Sequence, residues 1–195
     1  MIEDKIWSDN PEQFIIGADE VGRGSFAGPI CASAVRVNYH QMQSFQHVKD
    51  SKKLSEKKRN EIYELAIDNQ IQFSFIESSN KEIDKFGIKY SNEKVLTKSI
   101  EEVYSNGDVV YVDHFKINNF HSISLVKGED NSRPIALASI IAKVLRDKLM
   151  IEFSKKYPEY LFEKNKGYGT KDHRLALVKY GLSEVHRESF NLVPK

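Results

Sequence analysis

"FIIGADEVGRGSFAGP", residues 14–29, decides how the rest of the chain is read. An apolar run, Phe14-Ile15-Ile16, has the character of a buried strand and leads directly into two adjacent carboxylates, Asp19 and Glu20. Two glycines around an arginine follow, Gly22-Arg23-Gly24, and then a Gly28-Pro29 break that opens a second strand, Ile30–Val37. A capping or turn role would explain one acid at such a point. It does not explain paired negative charge beside a stretch of nearly bare backbone.

Outward from this stretch the periodicity alternates. Ser55 caps a helix running to about Asn69, with Ile62, Leu65 and Ala66 on one face. "IQFSFIE", residues 71–77, places Ile71, Phe73 and Phe75 on one side of a strand. Val95, Leu96, Ile100 and Val103 predict a helix over residues 92–104, after which Asn106-Gly107 turns the chain into "DVVYVD", a strand ending at Asp113. "SISLV", residues 122–126, is a short strand. The longest helix is expected from Ile135 to about Tyr157, with Ala138, Ile141, Ala142, Leu145 and Leu149 as its apolar stripe. A last helix, Lys171 to Tyr180, stops at Gly181. Early strands followed by strand–helix alternation make this an α/β or mixed α+β domain.

The 195 residues are read as one domain. One cysteine, Cys31, leaves no intramolecular disulfide partner and fits a reducing compartment. The apolar runs are too short to span a bilayer and "MIEDKIWSDN" is no secretory signal, so the expectation is a cytoplasmic, monomeric protein without a membrane partner. The net charge of +1 is uninformative, but basic residues gather in "KDSKKLSEKKR" (49–59) and "KNKGYGTKDHR" (164–174). These form either a phosphate-facing surface or solvated helix faces, the latter favoured for Lys57, Lys58 and Arg59.

Two apolar strands, Phe14–Asp19 and Val109–Asp113, each end in an aspartate, at the strand edge where α/β sheets place ligands. If the strands are neighbours, Asp19 and Asp113 converge and repel unless a cation sits between them. Oxygen donors with no histidine or cysteine at ligand spacing suit Mg²⁺ or Mn²⁺, not zinc. Glu20 is expected to add a second ligand because the chain turns immediately after it, whereas a continuing strand would point it to the opposite face. Asp147 on the long helix, one turn after Lys143 and beside Arg146, reads by itself as an exposed acid paired with that lysine.

Other motifs carry less. "GRGSFA", residues 22–27, fits G-x-G-x-x-A, but a dinucleotide site needs a helix there and a strand follows instead. The histidines at 40, 47, 114, 121, 173 and 186 form no zinc-hydrolase spacing, and Cys31 within "PICASAV" reads as a small core residue.

Taken together, the blocks resemble the ribonuclease HII family. "GADEVGRGSFAGP" is similar to the G-x-D-E-x-G-R-G signature, and "DSKKLSEKKR" (50–59), "VDH" (112–114), "ASIIAKVLRDKLM" (138–150), "NKGYGT" (165–170) and "HRESF" (186–190) follow in the family's order. The resemblance covers residues 14–190 and implies a ribonuclease H-like fold. That fold is α/β, a mixed five-stranded sheet flanked by helices, with a helical C-terminal part over roughly 155–195. It implies that Asp19, Glu20, Asp113 and Asp147 form a four-carboxylate site, which overrides the plain reading of Asp147. Two metals, about 3.5–4 Å apart, would activate water and stabilise the leaving oxygen. The implied reaction is hydrolysis 5′ of ribonucleotides embedded in duplex DNA, and of RNA in RNA–DNA hybrids, leaving 3′-hydroxyl and 5′-phosphate ends. The Gly22-Arg23-Gly24 backbone would read the ribose 2′-hydroxyl, and Tyr168 would stack on the following deoxynucleotide's sugar. Ser51, Lys52, Lys53, Lys143, Arg146 and Lys166 would contact phosphates.

Three positions depart from the family pattern. Ser25 replaces a usual proline and is expected to loosen the loop, His114 replaces a usual glycine after Asp113, and Glu188 replaces a common arginine. The related ribonuclease HIII usually carries an extra N-terminal domain, whereas about 13 residues precede the first strand here. A non-catalytic hybrid binder of the same fold remains the alternative of a different class. It would be expected to have lost one of the four acids.

Overall fold

The computed structural model of the chain describes residues 1–48, 54–115, 117, 120 and 122–192. Helix α1 (Asp4–Asp9), which the sequence reading did not foresee, buries Trp7 and leads into β1 (Ile15–Val21) and β2 (Ile30–Val37), paired antiparallel. A short helix α2 (Tyr39–Met42) follows, closed by a capping box between Asn38 and Gln41. Helix α3 (Glu56–Asp68) begins where Ser55 accepts the Lys58 amide, as expected, but Leu65 stays exposed while Ile62 and Ala66 are buried. Strand β3 (Gln72–Ser78) then pairs antiparallel with β2.

Helix α4 (Asn80–Phe86) was missed, although Ser79 and Glu82 make an S-x-x-E capping box at its start. It runs through Gly87 into α5 (Ile88–Val103), whose Val95, Leu96, Ile100 and Val103 are buried. Strand β4 (Val109–Asp113) pairs parallel with β1, and β5 (Ser122–Leu125) parallel with β4. Among the described residues the sheet is five-stranded, in the order β3-β2-β1-β4-β5. Helices α6 (Gly128–Asn131), α7 (Arg133–Lys156), α8 (Phe162–Asn165) and α9 (Lys171–Tyr180) complete the chain.

The two faces of the sheet bury separate cores, α7 with α3 on one side and α5 on the other. Helix α7 lies along β1 at close range: a Cβ on Gly17 would come within 2.2 Å of the Pro134 carbonyl carbon. Only a residue without a side chain permits that approach. The helix buries more than the predicted stripe, including Arg146 and Asp147, while Leu145 and Leu149 are half-buried. Its start is held by Arg133, which pairs with the buried Glu3 carboxylate at 3.1 Å. No helix among the described residues is long and apolar enough to cross a membrane.

Gly17→Ala forces α7 off β1 and is expected to destabilise the fold by at least about 1–3 kcal/mol, as over-packing does. Thermal melting checks this, and an unchanged Tm would show that the helix does not sit against that strand.

Candidate active site

Asp19 and Asp113 sit on neighbouring parallel strands. The β1–β4 register ends at Ala18 opposite Val112, so the next residue on each strand is one of these aspartates. Strand β1 does not stop at Asp19, contrary to expectation: pairing with β2 continues through Glu20 and Val21. Glu20 nevertheless lines the same cavity as Asp19 and Asp113. Beyond Ala18 the pairing to β4 has ended, and this edge of the strand is open.

The cavity measures about 350 Å³ and is lined by Asp19, Glu20, Val21, Arg59, Asp113, Ser139, Ile140, Lys143 and Tyr168. Each acid is oriented by the fold. The Glu20 amide and the Ser139 hydroxyl both donate to Asp19, the former at 2.8 Å. The Gly128 amide, at the start of α6, donates to Asp113 Oδ1 at 2.6 Å. Burial, together with the charges of Glu20, Asp113 and Glu129, pushes the Asp19 carboxyl up to about 8 despite the Ser139 hydrogen bond. Burial and Asp113 also raise Glu20, against the opposing pull of Arg23 and His114. Several like charges thus converge on one desolvated spot.

Asp147 lies on α7, 6% exposed, and its Oδ1 accepts a hydrogen bond from Lys143 Nζ at 2.7 Å. It is Lys143, not Asp147, that reaches the cavity lining. The pair spans one helical turn, from position i to i+4. Among the described residues no three His, Cys, Asp or Glu side chains are gathered closely enough to enclose an ion.

The glycine turn is built from behind. Arg146 is fully buried and donates from Nε to the Pro29 carbonyl (3.0 Å), from Nη1 to Lys166 (2.9 Å) and from Nη2 to the Ser25 hydroxyl (2.9 Å). Arg187, equally buried, donates to the carbonyls of Gly28, Arg23 and Gly22 at 3.0, 2.9 and 2.7 Å. The expected phosphate role of Arg146 is therefore corrected: its guanidinium is consumed by the loop. Lys166 is corrected likewise, since it is 9% exposed and its ammonium is bonded to the Glu163 carbonyl. Ser25 does not loosen the turn but anchors it.

Gly22 has φ +85°, and a Cβ there would meet Arg146 Nε at 2.1 Å, so packing alone demands glycine. At Gly24 an added Cβ would meet nothing within 4 Å. His114 adopts φ +51°, the left-handed region in which glycine is at ease, and lies near Glu20. Ser51, Lys52 and Lys53 fall outside the described residues.

Tyr168 lines the cavity with Lys143 Nζ 5.6 Å from its ring centre. Sequence reasoning missed Ser139 and Arg59. Ser139, Lys143 and Asp147 recur at every fourth residue, a polar line along one face of the helix, and that was the available signal. Arg59, expected on a solvated helix face, reaches the cavity from α3.

In the folded chain Asp19 keeps its proton to about pH 8, against an ordinary value of 3.8. Between those values the folded state binds more protons than the unfolded one, so stability falls as pH rises through the window. With divalent ions omitted, Asp19→Asn is expected to melt at least about 2–4 °C above the parent chain at pH 8. The two should melt together near pH 4. Melting curves across that range check it, and coincidence at pH 8 would mean the carboxyl is not desolvated.

Comparison with known proteins identifies the family. A family model described as ribonuclease HII matches residues 16–193. A ribonuclease HII of Clostridium beijerinckii is 44% identical over 182 residues, covering 91% of this chain and 67% of that one. The chain thus spans about two thirds of that relative's length. A ribonuclease HII of Caldicellulosiruptor bescii is 43% identical over 191 residues, covering 97% and 91% of the two chains. Among solved structures, ribonuclease H2 from Pyrococcus horikoshii superposes with a TM-score of 0.78 at 21% identity, covering 92% of this chain and 95% of that one, so the two share a fold. On the strength of the family match and of two relatives above 40% identity, the chain belongs to the ribonuclease HII family.

Proposed function

We propose that this protein is a divalent-metal-dependent endonuclease. It would hydrolyse the phosphodiester on the 5′ side of a ribonucleotide embedded in duplex DNA, and the RNA strand of RNA–DNA hybrids. The observation that carries the reading is the convergence of Asp19, Glu20 and Asp113 on one cavity that Lys143 and Tyr168 also line.

The donor chemistry fits hard cations. The acids of the lining offer carboxylate oxygens, and among the described residues no histidine or cysteine joins them, which suits Mg²⁺ or Mn²⁺. Asp19, Glu20 and Asp113 would hold the ions, with Asp147 joining once Lys143 turns to a phosphate. Bound metal supplies a water activated for attack and charge neutralisation at the leaving oxygen. A bond forms between the water oxygen and phosphorus while the P–O3′ bond breaks; the water gives up a proton and the 3′ oxygen gains one. The products are a 3′-hydroxyl and a 5′-phosphate.

The chain's own residues orient the partners. Ser139 and the Gly128 amide orient Asp19 and Asp113 before substrate arrives, which leaves the Lys143–Asp147 pair as the part that rearranges. Lys143 and Arg59 place positive charge on the cavity wall for the scissile phosphate. The carbonyls of Gly22 and Arg23 are committed to Arg187, and Gly24 opens on free space, which leaves the turn's outer edge to the ribose 2′-hydroxyl. Tyr168 offers a flat face to the sugar that follows.

A labelled DNA duplex holding one ribonucleotide tests this in Mg²⁺ and in Mn²⁺, with an all-DNA duplex and a chelator as controls. A single 5′ cut, abolished by chelator and slowed on the order of 10²-fold or more by Asp113→Asn, is expected. Tyr168→Ala is expected to weaken use of this substrate about tenfold. Binding without any cut in either metal would replace the enzyme with a non-catalytic hybrid binder.

A further inference from the structure

A second pair of titratable side chains is buried away from the carboxylates. His173 on α9 and His186 in the C-terminal segment are each no more than 1% exposed, and their Nε2 atoms lie 3.0 Å apart. The surrounding hydrogen bonds determine where each proton sits. The Ser183 amide, which can only donate, points at His186 Nδ1 from 2.8 Å, so that nitrogen carries no proton. The proton of neutral His186 is then on Nε2 and is donated to His173 Nε2. His173 in turn must carry its proton on Nδ1, which lies 2.9 Å from the Tyr168 carbonyl.

The environment keeps both rings neutral. Burial pushes His186 down to about 4, helped by the neighbouring imidazole, and lowers His173 as well, helped by Arg174. The walls are aromatic: Tyr160 lies 4.7 Å from His186 between ring centres, Phe162 lies 5.4 Å from His173, and Phe26 lies 5.9 Å from His173. The Tyr160 hydroxyl is occupied by the Gly181 carbonyl, and among the described residues no carboxylate shifts either histidine. The chain ends on Tyr168, whose carbonyl also accepts the Thr170 amide at 2.8 Å and whose own amide donates to Asn165 at 2.9 Å.

We propose that His186 and His173 act as a directional hydrogen-bond relay that positions Tyr168, making them specificity-determining residues for the ribonucleotide–deoxynucleotide junction. They touch no substrate and act through the backbone of the residue that does. The inference rests on the reading of Tyr168 given above. It adds that the angle of this ring over the cavity is set from behind, by a buried pair bonded to the Tyr168 backbone. A proton added to His186 Nδ1 would face the Ser183 amide, and one added to His173 Nε2 would face the His186 N–H. Either charge breaks the relay.

Two measurements test it. Long-range proton–nitrogen correlation spectra of the ¹⁵N-labelled protein at neutral pH are expected to show His186 protonated at Nε2 and His173 at Nδ1. The opposite tautomer on either ring, or a charged ring, overturns the relay whatever the enzyme does. Cleavage kinetics are then compared on a single-ribonucleotide duplex and on a long RNA–DNA hybrid that lacks the junction. His186→Phe, which keeps ring volume but not the donor, is expected to raise KM for the junction substrate about five- to tenfold, the effect of one lost hydrogen bond. KM for the hybrid and kcat for both should stay within about twofold.

His186→Gln, which keeps an N–H donor, should restore the junction preference. In a Tyr168→Ala background His186→Phe should add nothing further. Equal losses on both substrates, or additive losses in the double variant, reduce the pair to a structural role and overturn the proposal. Wild-type protein that cuts neither substrate overturns the functional reading, and the specificity role with it, while the tautomers still decide whether the relay exists.

Discussion

The backbone of α7 rests directly on β1 at Gly17, and the placement of the site follows from that contact. A strand rises about 3.3 Å per residue and a helix 1.5 Å. Five strand residues from Gly17 to Gly22 therefore cover about the same distance as eleven helix residues from Ile135 to Arg146. Gly17 meets Ile135 at one end of this interval and Gly22 meets Arg146 at the other, with Asp19 and Ser139 between them. Strand and helix run in register, so one close approach sets the position of a carboxylate, its hydrogen-bond donor and the turn beyond.

Beneath that turn the chain buries two guanidinium groups, an expensive choice unless every donor finds a partner. Arg146 and Arg187 find theirs among backbone carbonyls and the Ser25 hydroxyl, and charge-assisted bonds of this kind are among the stronger ones available. The desolvation cost still shows, since burial pushes Arg187 down to about 9. What the arrangement achieves is a turn held rigid from within, so its outer surface needs no side chains. Rigidity at this point would suit the proposed recognition of a single hydroxyl.

The same logic explains why the acids are unfavourable in the folded chain. Asp19, Glu20 and Asp113 are brought together by strand register, and Asp19 lies in a desolvated setting where it resists ionisation. A core built for stability alone would not place them so. Local cost at a cavity, offset by well-packed cores on both sides of the sheet, is the usual signature of a functional centre.

Much of this was legible in the chain itself. Periodicity located β2, α9 and, to within a few residues, β1, β4 and α7, because apolar stripes and caps are local properties. The strand-terminal aspartates and the glycine turn were visible for the same reason. The direction of buried polar groups was not. Arg146 and Lys166 look like phosphate contacts in a basic segment, yet one is wholly buried and the other is bonded to its own loop. Ser139 and Arg59 look ordinary but reach the cavity. His173 and His186, thirteen residues apart in helix and tail, share a hydrogen bond that no spacing announces. Sequence alone determined the five strands and the longer helices, and which acids lie near the strand ends, since those depend on neighbours a few residues away. Only the tertiary structure decided which charges face inward and what they bond, because that depends on partners more than a hundred residues distant, such as Arg187 beneath Gly22.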